Sequence, residues 1–341
     1  MNVLSLFDGM SCGQIALTNL GCFPDKYYAS EVDKFAIQQT RHVFPDTIHI
    51  GDVTRVDVSK LDKIDLIIGG SPCQSFSFAG KRVGMATTDN IEITDLDQYL
   101  DLKIMGFEFA GQSYLFWEYM RILTEVRKYN PDVKFLLENV VMSKKWEAVL
   151  TNAIGVEPVM INSNLVSAQN RKRLYWTNIA EITQPEDEGI FIRDILEDDV
   201  DEKYYVSGMG ITDQMGKNLK SVDDKACCLK YERTEYGKKI RKDYESGKIK
   251  EQRKNMRRLV PRKDGKSNCL VTTMAQKDSL LAVLKLDREW TLRRLTPTEC
   301  ARLQTVPDWY EWVVSDTQIY RMCGNGWTVR VIEHILKNLF I

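Results

Sequence analysis

Up to about residue 178 the chain alternates short apolar runs with stretches of helical spacing. Residues 3–6, 27–30, 47–50, 64–68, 133–137 and 174–177 read as strands, and 14–20, 34–43 and 114–129 as helices between several of them. Strands separated by helices predict an α/β fold with a mostly parallel sheet covered on both faces. Ligands of such sheets bind beyond the carboxyl ends of the strands. Five strand ends here carry informative residues.

After about residue 180 the texture changes, which predicts a second domain with a boundary near 179–188. The division expected is 1–179, completed by about 318–341, with a smaller domain at 180–317. A last helix at 329–339 has apolar spacing suited to packing back on the first domain. The net charge of −1 speaks against a uniformly basic surface. Its distribution says more: 15 Lys/Arg stand against five Asp/Glu in 225–263, while 184–202 and 86–111 are strongly acidic. The basic run is the electrostatic footprint of a phosphate-backbone partner, and a solvated charged face is the plainer reading. No run of 18 apolar residues exists, so no membrane span is expected. Eight cysteines without C-x-x-C pairs, beside three histidines, argue against a zinc site and for reduced thiols in a cytosol.

Three strand ends describe a nucleoside site. The first runs into Phe7-Asp8-Gly9-Met10-Ser11-Cys12-Gly13 and then a helix, where small residues let the backbone approach a ligand. Glu31, ending the second strand, can accept hydrogen bonds from two ribose hydroxyls. Asp52, after the third, can pair with an exocyclic amine such as that of adenine. No G-x-x-x-x-G-K-[ST] element is present, which disfavours a P-loop nucleotide. The fourth strand ends in a Gly/Ser-rich loop holding Pro72-Cys73-Gln74-Ser75, which presents a soft nucleophile. Glu138-Asn139-Val140, ending the fifth, puts a carboxyl across the same crevice. A lone cysteine is more often a small buried hydrophobe; the two elements together favour chemistry.

In this order the blocks resemble the cytosine-5 DNA methyltransferases over nearly the whole chain. They are Phe7-Asp8-Gly9, Glu31, Asp52, Pro72-Cys73-Gln74-Ser75, Glu138-Asn139-Val140, Gln169-Asn170-Arg171-Lys172-Arg173, Arg294-Leu295-Thr296-Pro297-Thr298-Glu299 and Gly324-Asn325-Gly326. Some segments look most like the vertebrate de novo enzymes, among them Ala29-Ser30-Glu31-Val32 and Trp327 after Gly326, without room for their regulatory modules. The resemblance implies a Rossmann-like class I methyltransferase sheet with a smaller mixed target-recognition domain, in a free-standing enzyme of a bacterial or phage-infected cytoplasm. It implies S-adenosyl-L-methionine held by Phe7, Asp8, Gly9, Ser11, Cys12, Gly13, Glu31, Val32, Asp52, Val53, Pro72, Leu115, Asn325 and Trp327. Cys73 would add to carbon 6 of cytosine, Glu138 would hold N3 and the amine, Arg173 the base oxygen, and Arg171 the cysteine loop. The base must be flipped out of the helix to be reached.

Double-stranded DNA is the expected partner, met by Gln74, Ser75, Lys81, Arg82, Gln169, Arg253, Arg257, Thr272 and Thr273. A cognate restriction endonuclease is the further partner of such enzymes in restriction-modification systems. The acidic stretch 86–111 is longer than compact members carry and is expected as a surface insertion beside the DNA entrance. Trp327 is expected to stack near the methionine end of the cofactor or to sit in an interdomain core. A tRNA cytosine-5 methyltransferase would carry a Cys-Phe-Thr element in the second domain, and none occurs. An inactive relative would have lost the cysteine or the turn. A dehydrogenase would need a tighter Gly-x-Gly-x-x-Gly.

Overall fold

The computed structural model describes residues 1–73, 76, 84–206, 213–219, 225–250, 256–272, 280–284 and 289–340. The large sheet contains β1 (Asn2–Leu6), β2 (Lys26–Ser30), β3 (Ile48–His49), β4 (Leu66–Gly70), β5 (Lys134–Val140), β6 (Val159–Asn162) and β7 (Lys172–Thr177). Their order is β3-β2-β1-β4-β5-β7-β6. The first five pair in parallel, as the alternation predicts. The sequence pattern missed β6 as a strand, and β7 lies antiparallel between β5 and β6. The segment from Asn162 to Lys172 contains only a short 3-10 turn, and without a crossover helix the chain can return only antiparallel.

Side-chain alternation divides the interior. Val3, Ala29, Leu66, Ile68 and Leu136 face one core, and Leu4, Leu6, Ile67, Phe135 and Leu137 face the other. Helices α1 (Cys12–Asn19) and α2 (Lys34–Val43) cover the first core; α3 (Leu96–Ile104), α4 (Phe116–Tyr129) and α5 (Lys144–Ile154) cover the second. Asp33 starts α2 by accepting from the amides of Phe35 and Ala36 at 2.9 and 3.2 Å.

The later chain builds α6 (Asp213–Leu219), β8 (Ala226–Arg233), α7 (Glu235–Glu245), β9 (Arg257–Pro261), β10 (Leu280–Leu284) and β11 (Trp290–Arg294). The four strands form an antiparallel sheet in the order β11-β10-β8-β9. Then follow α8 (Pro297–Leu303), α9 (Asp316–Asn325) and α10 (Val329–Leu336). From Leu295 onward, Cys300, Leu303, Val306 and Tyr310 already share the first core, and α10 packs on α1. Glu299 closes a capping box with Thr296 and is buried against Arg293, at 2.6 and 2.7 Å. The family-like block beginning at Arg294 thus has a structural task at its end. No described helix is long and apolar enough to cross a membrane.

The stretch 86–111 departs from expectation. Ile93, Tyr99 and Leu102 are buried in the second core, and the Tyr99 hydroxyl donates to the fully buried Glu118 at 2.5 Å. Lys103 and Arg121 engage the same carboxylate. All six acids of the stretch are exposed. It is an amphipathic layer whose apolar face completes the core, not a surface addition.

Candidate active site

At the end of β1 the chain turns with Phe7, Gly9 and Ser11 at φ of 59, 58 and 63°. This left-handed backbone costs little at Gly9 and more at the other two, so surrounding contacts must hold it. Glu31 does so at the end of β2. One carboxylate oxygen accepts from the Gly9 amide at 2.8 Å, and the other from the Val32 and Asp33 amides at 2.7 Å each. Asp8 accepts from Tyr27 at 2.9 Å and Ser11 at 3.2 Å through Oδ1, while Oδ2 is shut from solvent without a partner. Burial pushes its pKa up to about 6 despite those donors. Gly13 is needed for space: a Cβ there would meet Ile68 Cδ1 at 2.1 Å. Cys12 is buried beside it, and its thiol approaches the Trp327 carbonyl. Asp52 caps the turn at Val53–Arg55, accepting from the Thr54 amide and hydroxyl at 2.9 Å each. Val53 is buried behind it, and Arg121 donates to its carbonyl. Leu115 is half-buried at the end of the 3-10 turn Ser113–Leu115.

The chemical residues meet where β4 and β5 end side by side, with Gly70 opposite Glu138. Pro72 and Cys73 follow, both half-buried. Asn139, given no role from sequence, ties this loop to β5 by donating to the Ser71 carbonyl and hydroxyl at 3.2 and 3.0 Å. β7 brings Arg173 opposite Val140, and its Nε lies 2.8 Å from Glu138 Oε1. The other Glu138 oxygen accepts from Trp327 Nε1 at 3.0 Å. Burial raises the Cys73 thiol above its ordinary value, the Glu138 charge adds to this, and Arg173 and Arg171 oppose it.

Arg171 is buried, and its terminal nitrogens donate to the carbonyls of Leu270 (2.9 Å), Gly324 (3.2 Å) and Gly326 (2.7 Å). Among the described residues it therefore holds the Gly-Asn-Gly block, while most of the cysteine loop lies outside those residues. Sequence reasoning missed Cys269, whose sulfur receives Arg171 at 3.5 Å and Arg173 at 3.8 Å. Burial opposes its ionisation, yet the two guanidinium groups leave the thiol below its ordinary value.

The expected DNA contacts are divided. Gln169 is a correction: it is fully buried, donating to the Leu303 carbonyl at 3.0 Å and accepting from the Leu270 amide at 2.7 Å. A side chain with its amide committed inside the core cannot reach a duplex. Thr272 is exposed, with its backbone against Gly324, and Arg257 is exposed at the start of β9. Asn325 is exposed at the end of α9. Gln74, Ser75, Lys81, Arg82, Arg253 and Thr273 lie outside the described residues. No group of three or more metal-ligating side chains occurs among the described residues.

The chain is 31% identical over 236 residues to the orphan methyltransferase M.Rho11sI of Bacillus phage rho11s, which covers 61% of this chain and 46% of that protein. It is 27% identical over 350 residues to the type II methyltransferase M.NlaX of Neisseria lactamica, with 99% of this chain and 95% of that protein covered. The structure of the S. pombe Dnmt2 methyltransferase superposes over both whole chains with a TM-score of 0.62 at 18% identity, which speaks for the fold. The model of the C-5 cytosine-specific DNA methylase family matches residues 1–101 and 103–340, and the chain belongs to that family.

Proposed function

We propose that this protein transfers a methyl group from S-adenosyl-L-methionine to carbon 5 of cytosine within a specific sequence of double-stranded DNA. The observation that carries the reading is Glu138, held on both oxygens by Arg173 and Trp327, beside a thiol that feels its charge. A carboxylate so fixed is built to meet a ligand of defined geometry. The cofactor's functional groups match the acceptors at the strand ends: the orphaned Asp8 Oδ2, Glu31 and Asp52. Phe7, Val32, Val53, Pro72, Leu115 and Asn325 would complete its walls. When bound, it supplies an electrophilic methyl group on a sulfonium.

Cytosine is not nucleophilic at carbon 5. Addition of the Cys73 sulfur to carbon 6 moves the electron pair of the 5,6 double bond toward carbon 5. Glu138 hydrogen-bonds N3 and the exocyclic amine and passes the proton released by the Cys73 thiol to N3 as the sulfur adds, while Arg173 faces the base oxygen. Carbon 5 then takes the methyl group. Loss of its proton and of the Cys73 sulfur from carbon 6 restores the ring and the free thiol.

Residues 1–179 with the C-terminal helices form the catalytic unit in this reading, and the four-stranded sheet unit reads DNA. Bisulfite sequencing of DNA from cells expressing the protein tests the activity. Conversion-resistant cytosines in one sequence context are the expected result; a pattern equal to that of a Cys73→Ala control would overturn it.

A further inference from the structure

Trp327 touches the candidate catalytic carboxylate through a polar atom, which a residue serving only to stack on a cofactor would not need. Its indole N–H, a group that only donates, points at Glu138 Oε2 at 3.0 Å. Arg173 holds Oε1 at 2.8 Å. The terminal torsion of a glutamate is soft and roughly two-fold; one donor on each oxygen fixes it. Each oxygen keeps a lone pair for a ligand. Trp327 is uncharged at every pH, so it orients the carboxylate without adding a second cation to the site.

Gly70 makes the contact possible. A Cβ at this position would lie 2.8 Å from the indole nitrogen and 3.0 Å from Glu138 Oε2. Gly70 is not among the glycines with positive φ, so it is required for space and not for backbone conformation. The backbone that carries the indole is anchored too, because Arg171 donates to the carbonyls of Gly324 and Gly326. We infer that Trp327, admitted by Gly70, is a positioning residue that aims Glu138 at the target base. This rests on the role of Glu138 proposed above.

The test is single-turnover methylation at saturating cofactor for wild type, Trp327→Phe, Glu138→Gln and the double variant, with cofactor affinity measured by titration calorimetry. Trp327→Phe should slow transfer about tenfold or more while the cofactor Kd changes less than threefold, and the double variant should be no slower than Glu138→Gln. Gly70→Ala, which displaces the indole, should give the same rate loss. Independently of activity, the Trp327 indole N–H resonance should move upfield in Glu138→Ala as its charged acceptor is lost. Full-rate transfer by Trp327→Phe, a loss confined to cofactor affinity, rate losses that multiply in the double variant, or an unmoved resonance would each overturn the inference. Wild-type rates in Glu138→Gln would instead overturn the role of Glu138 and take this inference with it.

Discussion

Asp8 sits in the turn between β1 and α1 with a carboxyl whose pKa burial has pushed up from 3.8 to about 6. The folded state therefore binds this proton more tightly than the unfolded chain. That contribution to stability is complete below 3.8 and is lost as the pH rises through 6, leaving a charge that costs about 3 kcal/mol above it. Asp8→Asn should raise Tm at pH 7.5, where the charge is absent only in the variant, and the gain should shrink at pH 5. An equal shift at both values would contradict the assignment. The same substitution should weaken cofactor binding. For Cys73, burial and then Glu138 hold the thiol up. Alkylation by iodoacetamide, followed at Cys73 by peptide mass spectrometry, should titrate at lower pH in Glu138→Gln than in wild type. Superimposed profiles would place Glu138 too far away to matter. Glu138→Gln should also slow methyl transfer by roughly 10²–10⁴-fold, the loss expected when acid catalysis at the base is removed.

Among the elements, α3 has the clearest energetic role. Tyr99 and Lys103 on α3 and Arg121 on α4 all meet Glu118, whose carboxylate is buried. A hydrogen bond to a buried charge is worth about 1.5–3 kcal/mol, so Tyr99→Phe should lower the free energy of unfolding by that amount in a denaturant titration. A change below about 0.5 kcal/mol would show that Lys103 and Arg121 suffice. The acids of this stretch masked its nature in the sequence: six carboxylates suggest a solvated loop, while Tyr99 and Leu102, three apart on one helical face, carry the core contact. Legibility differed elsewhere for equally physical reasons. The parallel strands and α2 were readable because burial on both faces demands apolar runs and Asp33 marks a helix start. β6 was not, because its Val159 is only partly covered and its Met160 is exposed. The placement of Cys73 and Glu138 at neighbouring strand ends was readable from the blocks around them. The Trp327 contact, Cys269 and the burial of Gln169 depend on segments roughly a hundred residues or more apart, and no local pattern encodes them.

Across the whole molecule, a near-neutral chain concentrates its cations on one part of the smaller sheet unit. Along α7 only Gly237 is buried, and Tyr231, Tyr236 and Tyr244 are exposed among the charges. Some cations already have local partners, as Lys238 with Glu235 and Arg241 with Glu245. About five phosphate contacts would give a slope of log affinity against log salt near −4 to −5. Replacing Arg253, Lys254, Arg257 and Arg258 with glutamine should flatten the slope by up to about 0.9 per lost contact and weaken all sequences alike. An unchanged slope and affinity would return the run to a solvated face. A duplex carrying 5-fluorocytosine at the methylated site probes covalent attack by Cys73 on cytosine. Fluorine cannot leave as a proton does, so wild type with S-adenosyl-L-methionine should form a denaturation-resistant adduct mapping to Cys73, absent in Cys73→Ala. No adduct on a confirmed target duplex would contradict the mechanism.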